Sequence, residues 1–222
     1  FSENQDLVSR IGKALIEGVQ GTGDEFLDSN HIMATAKHFI GDGGTFKGID
    51  KGDTRISEGG LKNIHGTPYY SAFEACVQSV MASFNSWNGV KMHGHEYLLT
   101  DVLRDQMGFN GLVVGDWNGH GEVPGCTNAN CPESFNAGVD IYMAPDEWKE
   151  LYTNTVRSVK AGDISEDRLD DAVRKILTVK DRLGMLDGRK PHEYENYVGK
   201  TEHRKLAREA VSKSLVLLKN ND

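Results

Sequence analysis

Long apolar runs are missing from this 222-residue chain: no stretch approaches the ~18 apolar residues of a membrane span. Positive charge is in deficit as well. The 33 acidic residues outnumber the 25 basic ones, giving a net charge of −8, which argues against nucleic acid or an anionic membrane as the main partner. The Gly-x4-Gly-Lys-Ser/Thr phosphate loop and the Gly-rich dinucleotide fingerprint are absent. So is a Gly-x-Ser-x-Gly nucleophile elbow around Ser83, Ser86 or Ser134. There are no heptads, low-complexity tracts or short repeats. The chain opens Phe1-Ser2-Glu3-Asn4-Gln5, with neither an initiator Met nor the charged start and apolar run of a signal peptide. A trimmed or partial chain is expected.

What is present is glycine, 25 residues or about 11% against a usual ~7%, clustered between periodic segments where close turns are needed. Strand-like runs alternate with helical patterns. Leu7, Val8, Ile11, Ala14, Leu15 and Val19 fit one face of a first helix, and Ile32 to Phe39 reads as a strand. Thr67-Pro68 reads as an N-cap with Pro at the first helical position, ahead of a stripe of Tyr69, Phe73, Cys76, Val77 and Val80. Ser79–Phe84, Gly111–Asp116 and Gly138–Met143 are further strands, and Tyr97–Met107 is a helix closed by Gly108. Trp148 to Val159 and Leu169 to Leu183 carry two more helical stripes, the second preceded by Asp163 and Glu166 at capping-box spacing.

Short, mostly apolar strands alternating with helices predict a parallel sheet covered by helices. Polar and aromatic residues collect just after each strand: Lys37-His38, Asn85-Ser86-Trp87-Asn88, Asp116-Trp117-Asn118 and Ala144-Pro145-Asp146. That distribution favours a (β/α) TIM-like barrel, which builds its site from several strand ends, over a doubly wound sheet with one switch point. Four strands are only half of a closed barrel, so residues 1–188 are expected to be the C-terminal part of one. Residues 189–201 read as a linker. Residues 202–222 read as a helix and a strand, Leu215–Leu218, that begin a second α/β sandwich domain.

Asp116 is the sharpest chemical candidate. It ends an apolar strand and precedes an indole. A carboxylate there suits attack on a sugar anomeric carbon, with the aromatic face stacking on pyranose C–H bonds; an Asp capping the next turn is the plain alternative. Lys37 and His38 can donate to sugar hydroxyls if the strand end bends, and otherwise belong to a surface loop. His93-Gly94-His95-Glu96 lacks the i, i+4 spacing of a zinc helix and an obvious third ligand, so loop polarity is the simpler reading and no metal or other cofactor is expected. Cys126 and Cys131 flank a turn-rich loop and fit a short-loop disulfide, with two free thiols as the alternative. Cys76 falls on an apolar helix face and reads as a buried thiol.

Together, Lys37-His38-Phe39-Ile40-Gly41-Asp42-Gly43-Gly44-Thr45, Ser86-Trp87-Asn88-Gly89, Gly115-Asp116-Trp117 and Ser214-Leu215-Val216-Leu217-Leu218-Lys219-Asn220 resemble family 3 glycoside hydrolases, in their β-glucosidase and exo-β-glucanase branch. The resemblance implies a barrel followed by an α/β sandwich. It implies Asp116 as the nucleophile of a retaining enzyme that releases glucose from the non-reducing end of β-glucosides or β-glucan oligosaccharides. It implies Lys37 and His38 on the glucose hydroxyls, Trp117 flanking the glucosyl units and, more loosely, Met81 and Met143 lining the pocket. Phe84 stands where relatives have Tyr. The resemblance also places an Asp and an Arg for the sugar before Phe1 and the acid/base Glu beyond Asp222, in the remaining parts of the same enzyme; Glu58, Glu74 and Glu96 are weak substitutes. The β-N-acetylhexosaminidase branch is disfavoured because Phe46–Lys51 holds no His. A polymeric substrate and a disulfide together imply an extracellular or periplasmic setting. A non-catalytic carbohydrate-binding or structural module derived from such an enzyme is the alternative.

Overall fold

The structure is a computed structural model. It describes residues 2–190 and 197–221; the middle of the expected linker, residues 191–196, lies outside them. Its centre is a parallel sheet in the order β1-β3-β6, formed by β1 (Thr35–Phe39), β3 (Ser79–Ala82) and β6 (Leu112–Val114). Phe39, Val80, Ala82 and Val113 are all fully buried, the two-sided burial that apolar parallel strands require. Helical crossovers join β1 to β3 and β3 to β6, so the strands repeat a β-helix-β unit. Among the described residues this sheet stays open, as one arc of the expected barrel.

The fourth expected strand, Gly138–Met143, is reduced to a single bridge between Val114 and Ile141. The cause is Asp140. Its carboxylate Oδ2 accepts the Val113 N–H at 2.8 Å, and the Asp140 and Ile141 N–H groups both donate to the Val113 carbonyl. A side chain therefore occupies the donor that a continued ladder would need.

α1 (Gln5–Gln20) is capped by Asn4, whose side-chain oxygen accepts from Asp6 and Leu7 N–H. The expected apolar face is not the buried one. Ser9, Ile16 and Gln20 face inward, while Ile11, Leu15 and Val19 stay exposed. Gln20 accounts for this rotation: its buried amide donates to the Ala75 and Cys76 carbonyls and accepts from Ala34 and Gln78 N–H. One side chain thus ties α1 to the entrances of both β1 and β3.

Thr67 is not an N-cap, because the helix does not begin there. α2 (Glu58–Gly60), capped by the Ser57 hydroxyl, runs through a π-helical stretch, Leu61–Gly66, directly into α3 (Thr67–Glu74). Pro68 lies inside this continuous helix. The widened π turn accommodates the hydrogen bond and the space that an interior proline removes, and the Thr67 hydroxyl donates back to Asn63. Cys76 lies beyond the end of α3 with φ 55°, and its thiol is exposed rather than buried.

A second small sheet was not anticipated. β2 (Asp53–Thr54) pairs with β4 (Ser86–Trp87), which forms a hairpin with β5 (Val90–Lys91). Asn88 and Gly89 make the turn with φ 48° and 90°, the left-handed pair that a two-residue hairpin demands. The π-helix Tyr97–Gln106 follows and ends at Gly108, φ 73°.

α4 (Pro132–Asn136), α5 (Trp148–Ala161) and α6 (Glu166–Arg182) complete the first unit, Phe1–Arg189. The N-cap of α6 is Ser165, which accepts the Arg168 N–H at 3.1 Å, rather than Asp163. Arg189 closes the unit by donating to the carbonyls of Leu27, His31 and Leu183. The second unit, Lys190–Asp222, contains α7 (Thr201–Ser214). Leu215–Leu218, expected as a strand, is exposed and forms no ladder among the described residues; a strand is defined by its pairing, and this stretch has none there.

Candidate active site

The sheet delivers its polar residues to one end. β6 stops at Val114, and the Gly115 N–H donates to Ile141 O at 2.8 Å, which turns the chain so that Asp116 faces the β1 side. Three contacts fix Asp116. Its N–H donates to His93 Nε2 at 2.9 Å. Its Oδ1 accepts the Trp117 N–H at 2.7 Å. Its Oδ2 lies 3.3 Å from His38 Nε2. The side chain keeps 16% of its surface exposed, enough for a reagent to reach it.

His93 supports this turn from beneath. It is buried, and burial pushes its pKa down to about 4 despite the nearby Asp116 carboxylate. The ring is therefore neutral at pH 7. Because Nε2 accepts from Asp116, the single ring proton belongs on Nδ1. The fit is tight: a Cβ at Gly119 would lie 2.3 Å from the imidazole carbon, so only glycine lets the backbone cross the ring there.

The β1 end is pinned in the same manner. The β1–β3 register shifts between Ala36 and Phe39, and Ser83 N–H donates to Phe39 O at 2.7 Å. Asn85 donates to Ile40 O at 3.2 Å and Thr54 Oγ1 at 3.0 Å, while Thr54 donates to Gly41 O at 2.7 Å. His38 is thereby held with Nδ1 3.3 Å from Asp42 and Nε2 toward Asp116. Lys37 is exposed. Trp117 is exposed by 58% and lies immediately beyond Asp116. Met81 pairs in register with Val114, and the Met143 carbonyl accepts the Asn118 N–H, so both methionines border the Asp116 turn. The expected site residues thus share one end of the sheet, but only His38 directly faces Asp116.

Cys126 and Cys131 form a disulfide, with Cα atoms 4.8 Å apart, in the loop after the Asp116 turn. With Glu133 they are the cluster of metal-ligating types that the described residues bring together, but the S–S bond removes the thiolates a metal would take. His93 and His95 do not converge: the His95 ring packs, tilted, against Trp87 and Tyr97. Of the weak acid/base substitutes, Glu74 pairs with Lys13, Glu58 accepts from the Tyr97 hydroxyl, and Glu96 is exposed. The sequence reading missed the roles of His93, Asn85 and Thr54. Asn85 sat in a post-strand polar cluster, which is a usable signal; Thr54 carried none.

Residues 1–179 match the model of the glycosyl hydrolase family 3 N-terminal domain. The chain belongs to glycosyl hydrolase family 3. Among curated relatives, a β-xylosidase of Formosa agariphila is 38% identical over all of this chain and 32% of its own length. A periplasmic β-glucosidase of Salmonella typhimurium is 32% identical over 99% of this chain and 30% of its own. Among solved structures, an exo-1,3/1,4-β-glucanase of a Pseudoalteromonas species superposes with a TM-score of 0.95 at 52% identity, over all of this chain and 28% of that one. This family 3 chain thus spans about a third of the length of these relatives, and its open sheet is a piece of the family's barrel domain.

Proposed function

We propose that this chain carries the nucleophile half of a retaining exo-acting β-glucosidase or β-glucan hydrolase. Asp116 attacks the anomeric carbon of the non-reducing terminal glucose, forming a glycosyl-enzyme and expelling the leaving alcohol. A Glu outside this segment protonates that leaving oxygen and later activates water, and the two carboxyls must approach to about 5–5.5 Å for retention. Lys37 and His38 hold the glucose hydroxyls, Trp117 flanks the sugar, and Met81 and Met143 line its apolar side. Residues 1–188 act as the C-terminal part of the barrel, 189–201 as the linker, and 202–222 as the entry to a sandwich domain. The setting is extracellular or periplasmic, in keeping with the relative named periplasmic and with the disulfide.

One observation carries this reading. Asp116 is held at its backbone by a neutral, buried His93, while its carboxylate stays partly open and faces His38. A nucleophile needs that combination of fixed position and free lone pair. The test is to trap the full-length enzyme with a 2-fluoro β-glucoside and map the labelled peptide. The label is expected on Asp116; a label on any other carboxylate sinks the assignment.

A further inference from the structure

Beside the Asp116 turn lies a charged cluster that the proposed chemistry does not use. Glu122 closes the short helical turn Gly119–Glu122 that starts three residues after Asp116. Its two carboxylate oxygens are taken by two lysines from other segments: Oε1 by Lys51 at 2.8 Å and Oε2 by Lys91 at 2.9 Å. Lys51 ends the long loop that begins with Asp42, and Lys91 lies on β5. Lys91 also donates to the Lys51 carbonyl at 3.2 Å and the Phe84 carbonyl at 3.1 Å. The Lys51 ammonium lies 4.1 Å from the centre of the Phe84 ring, and that ring packs 5.9 Å from His93, the residue that holds the Asp116 N–H.

The electrostatics agree. Burial pushes the Glu122 carboxyl up, but the Lys51 and Lys91 hydrogen bonds outweigh it and hold it below its ordinary value. The Glu122 hydrogen bond, and more weakly the Asp116 charge, hold Lys51 above its own. Glu122 and Lys51 are therefore both charged at neutral pH, and one carboxylate joins three chain segments around the site.

We propose that Glu122 is a positioning residue. Gripped by Lys51 and Lys91, it locks the turn that carries Asp116 against the loop that begins with Asp42, whose carboxylate contacts His38 at the end of β1, and so sets the distance from the attacking oxygen to the bound sugar. Glu122 touches no reacting atom in this scheme. The inference rests on the retaining reading above.

The test uses the full-length enzyme with an activated aryl β-glucoside. Glu122→Gln keeps the shape and removes the charge that both lysines need. Because small misplacements cost up to about a hundredfold, kcat is expected to fall roughly tenfold or more, with KM within about twofold and Tm nearly unchanged. Lys51→Met should give a similar loss and Lys51→Arg should retain most of kcat. The double variant Lys51→Met/Glu122→Gln should be no worse than either single one, because both break the same bridge. Equal kcat in all variants overturns the proposal. So does a kcat loss that follows a fall in Tm, or a double variant whose loss is the product of the two. If Glu122→Gln fails to fold, the exposed Lys51 pair decides by itself. A wild-type enzyme that neither turns over the glucoside nor labels at Asp116 fails the retaining reading, a different result from a working wild type with indifferent variants.

Discussion

Two aspartates follow neighbouring apolar runs, Asp116 after Leu112–Val114 and Asp140 after Gly138-Val139, and the structure treats them in opposite ways. Asp140 has no exposed side-chain surface. Its Oδ2 accepts from Arg104 at 2.6 Å and from the Val113 N–H, and its Oδ1 from Arg168 at 2.8 Å. Both arginines are themselves tied down, Arg104 to the Phe109 and Gly111 carbonyls and Arg168 to those of Phe135 and Val139. Both oxygens of Asp140 are occupied, and the group is a fastener between β6, the π-helix and α6. Asp116 is fastened through its backbone instead, and its carboxylate keeps one edge for a ligand. Chemistry requires the second arrangement and structure the first; charge and strand-end position alone do not distinguish them.

Exchanging the two roles by mutation is the strongest way to break this comparison. Asp116→Asn in the full-length enzyme should cost kcat roughly a thousandfold or more while leaving Tm within a few degrees. Asp140→Asn should do the reverse to stability. It strands two largely buried guanidinium groups, and breaking a buried pair costs about 3–5 kcal/mol, which in a domain of this size lowers Tm by the order of 10 °C. Thermal unfolding and kinetics on both variants read the two effects separately. A Tm loss at Asp116 comparable to that at Asp140 would falsify the division of labour.

A second test sharpens the Asp116 side. His93 has a folded pKa of about 4, below its ordinary 6.5. The unfolded chain therefore binds more protons between those values, and the stabilisation is full above about pH 6.5 and lost as pH falls through 4. The gap corresponds to about 3 kcal/mol. Burial lowers His65, His95 and His120 too, so the pH slope must be compared between wild type and His93→Gln, which keeps an acceptor for the Asp116 N–H. The variant should lose stability less steeply from pH 7 to pH 4 in denaturant titrations. An unchanged slope would mean that His93 is solvated.

Much of this was legible in the sequence. The apolar runs around Val80 and Val113 located the central strands, since two-sided burial writes itself as unbroken hydrophobicity. Asp116 and its neighbour Trp117 stood out by position, and the turn chemistry around Cys126 and Cys131 pointed to the disulfide. What was not legible depends on polar partners distant in sequence. Gln20 rotates α1 through groups at Ala34, Ala75, Cys76 and Gln78, and no local period reports such contacts, so the sequence pattern points to Ile11, Leu15 and Val19 as the buried face although they are exposed. Asp140 ends the fourth strand by the same kind of contact. The Asn88-Gly89 hairpin is a different case: its backbone signal is present and strong, but it overlaps a run, Ser86–Gly89, whose polar and aromatic side chains equally suit a strand-end site.

The smallest expected effect concerns how far the grip on Asp140 extends. Arg168 also pairs with Asp171 at 3.2 Å, and Asp171 contacts Lys175 one turn along α6. Asp171 keeps 40% of its side chain exposed, so solvent screens its attraction for Arg168. Exposed pairs contribute about 0–1 kcal/mol, and Arg168 retains Asp140, Phe135 and Val139 as partners without it. Asp171→Asn should therefore shift the denaturation midpoint slightly, and by less in high salt than in low salt. A loss approaching that of Asp140→Asn would extend the buried network to the α6 surface, and Asp140 would then be one member of a larger cooperative cluster instead of its centre.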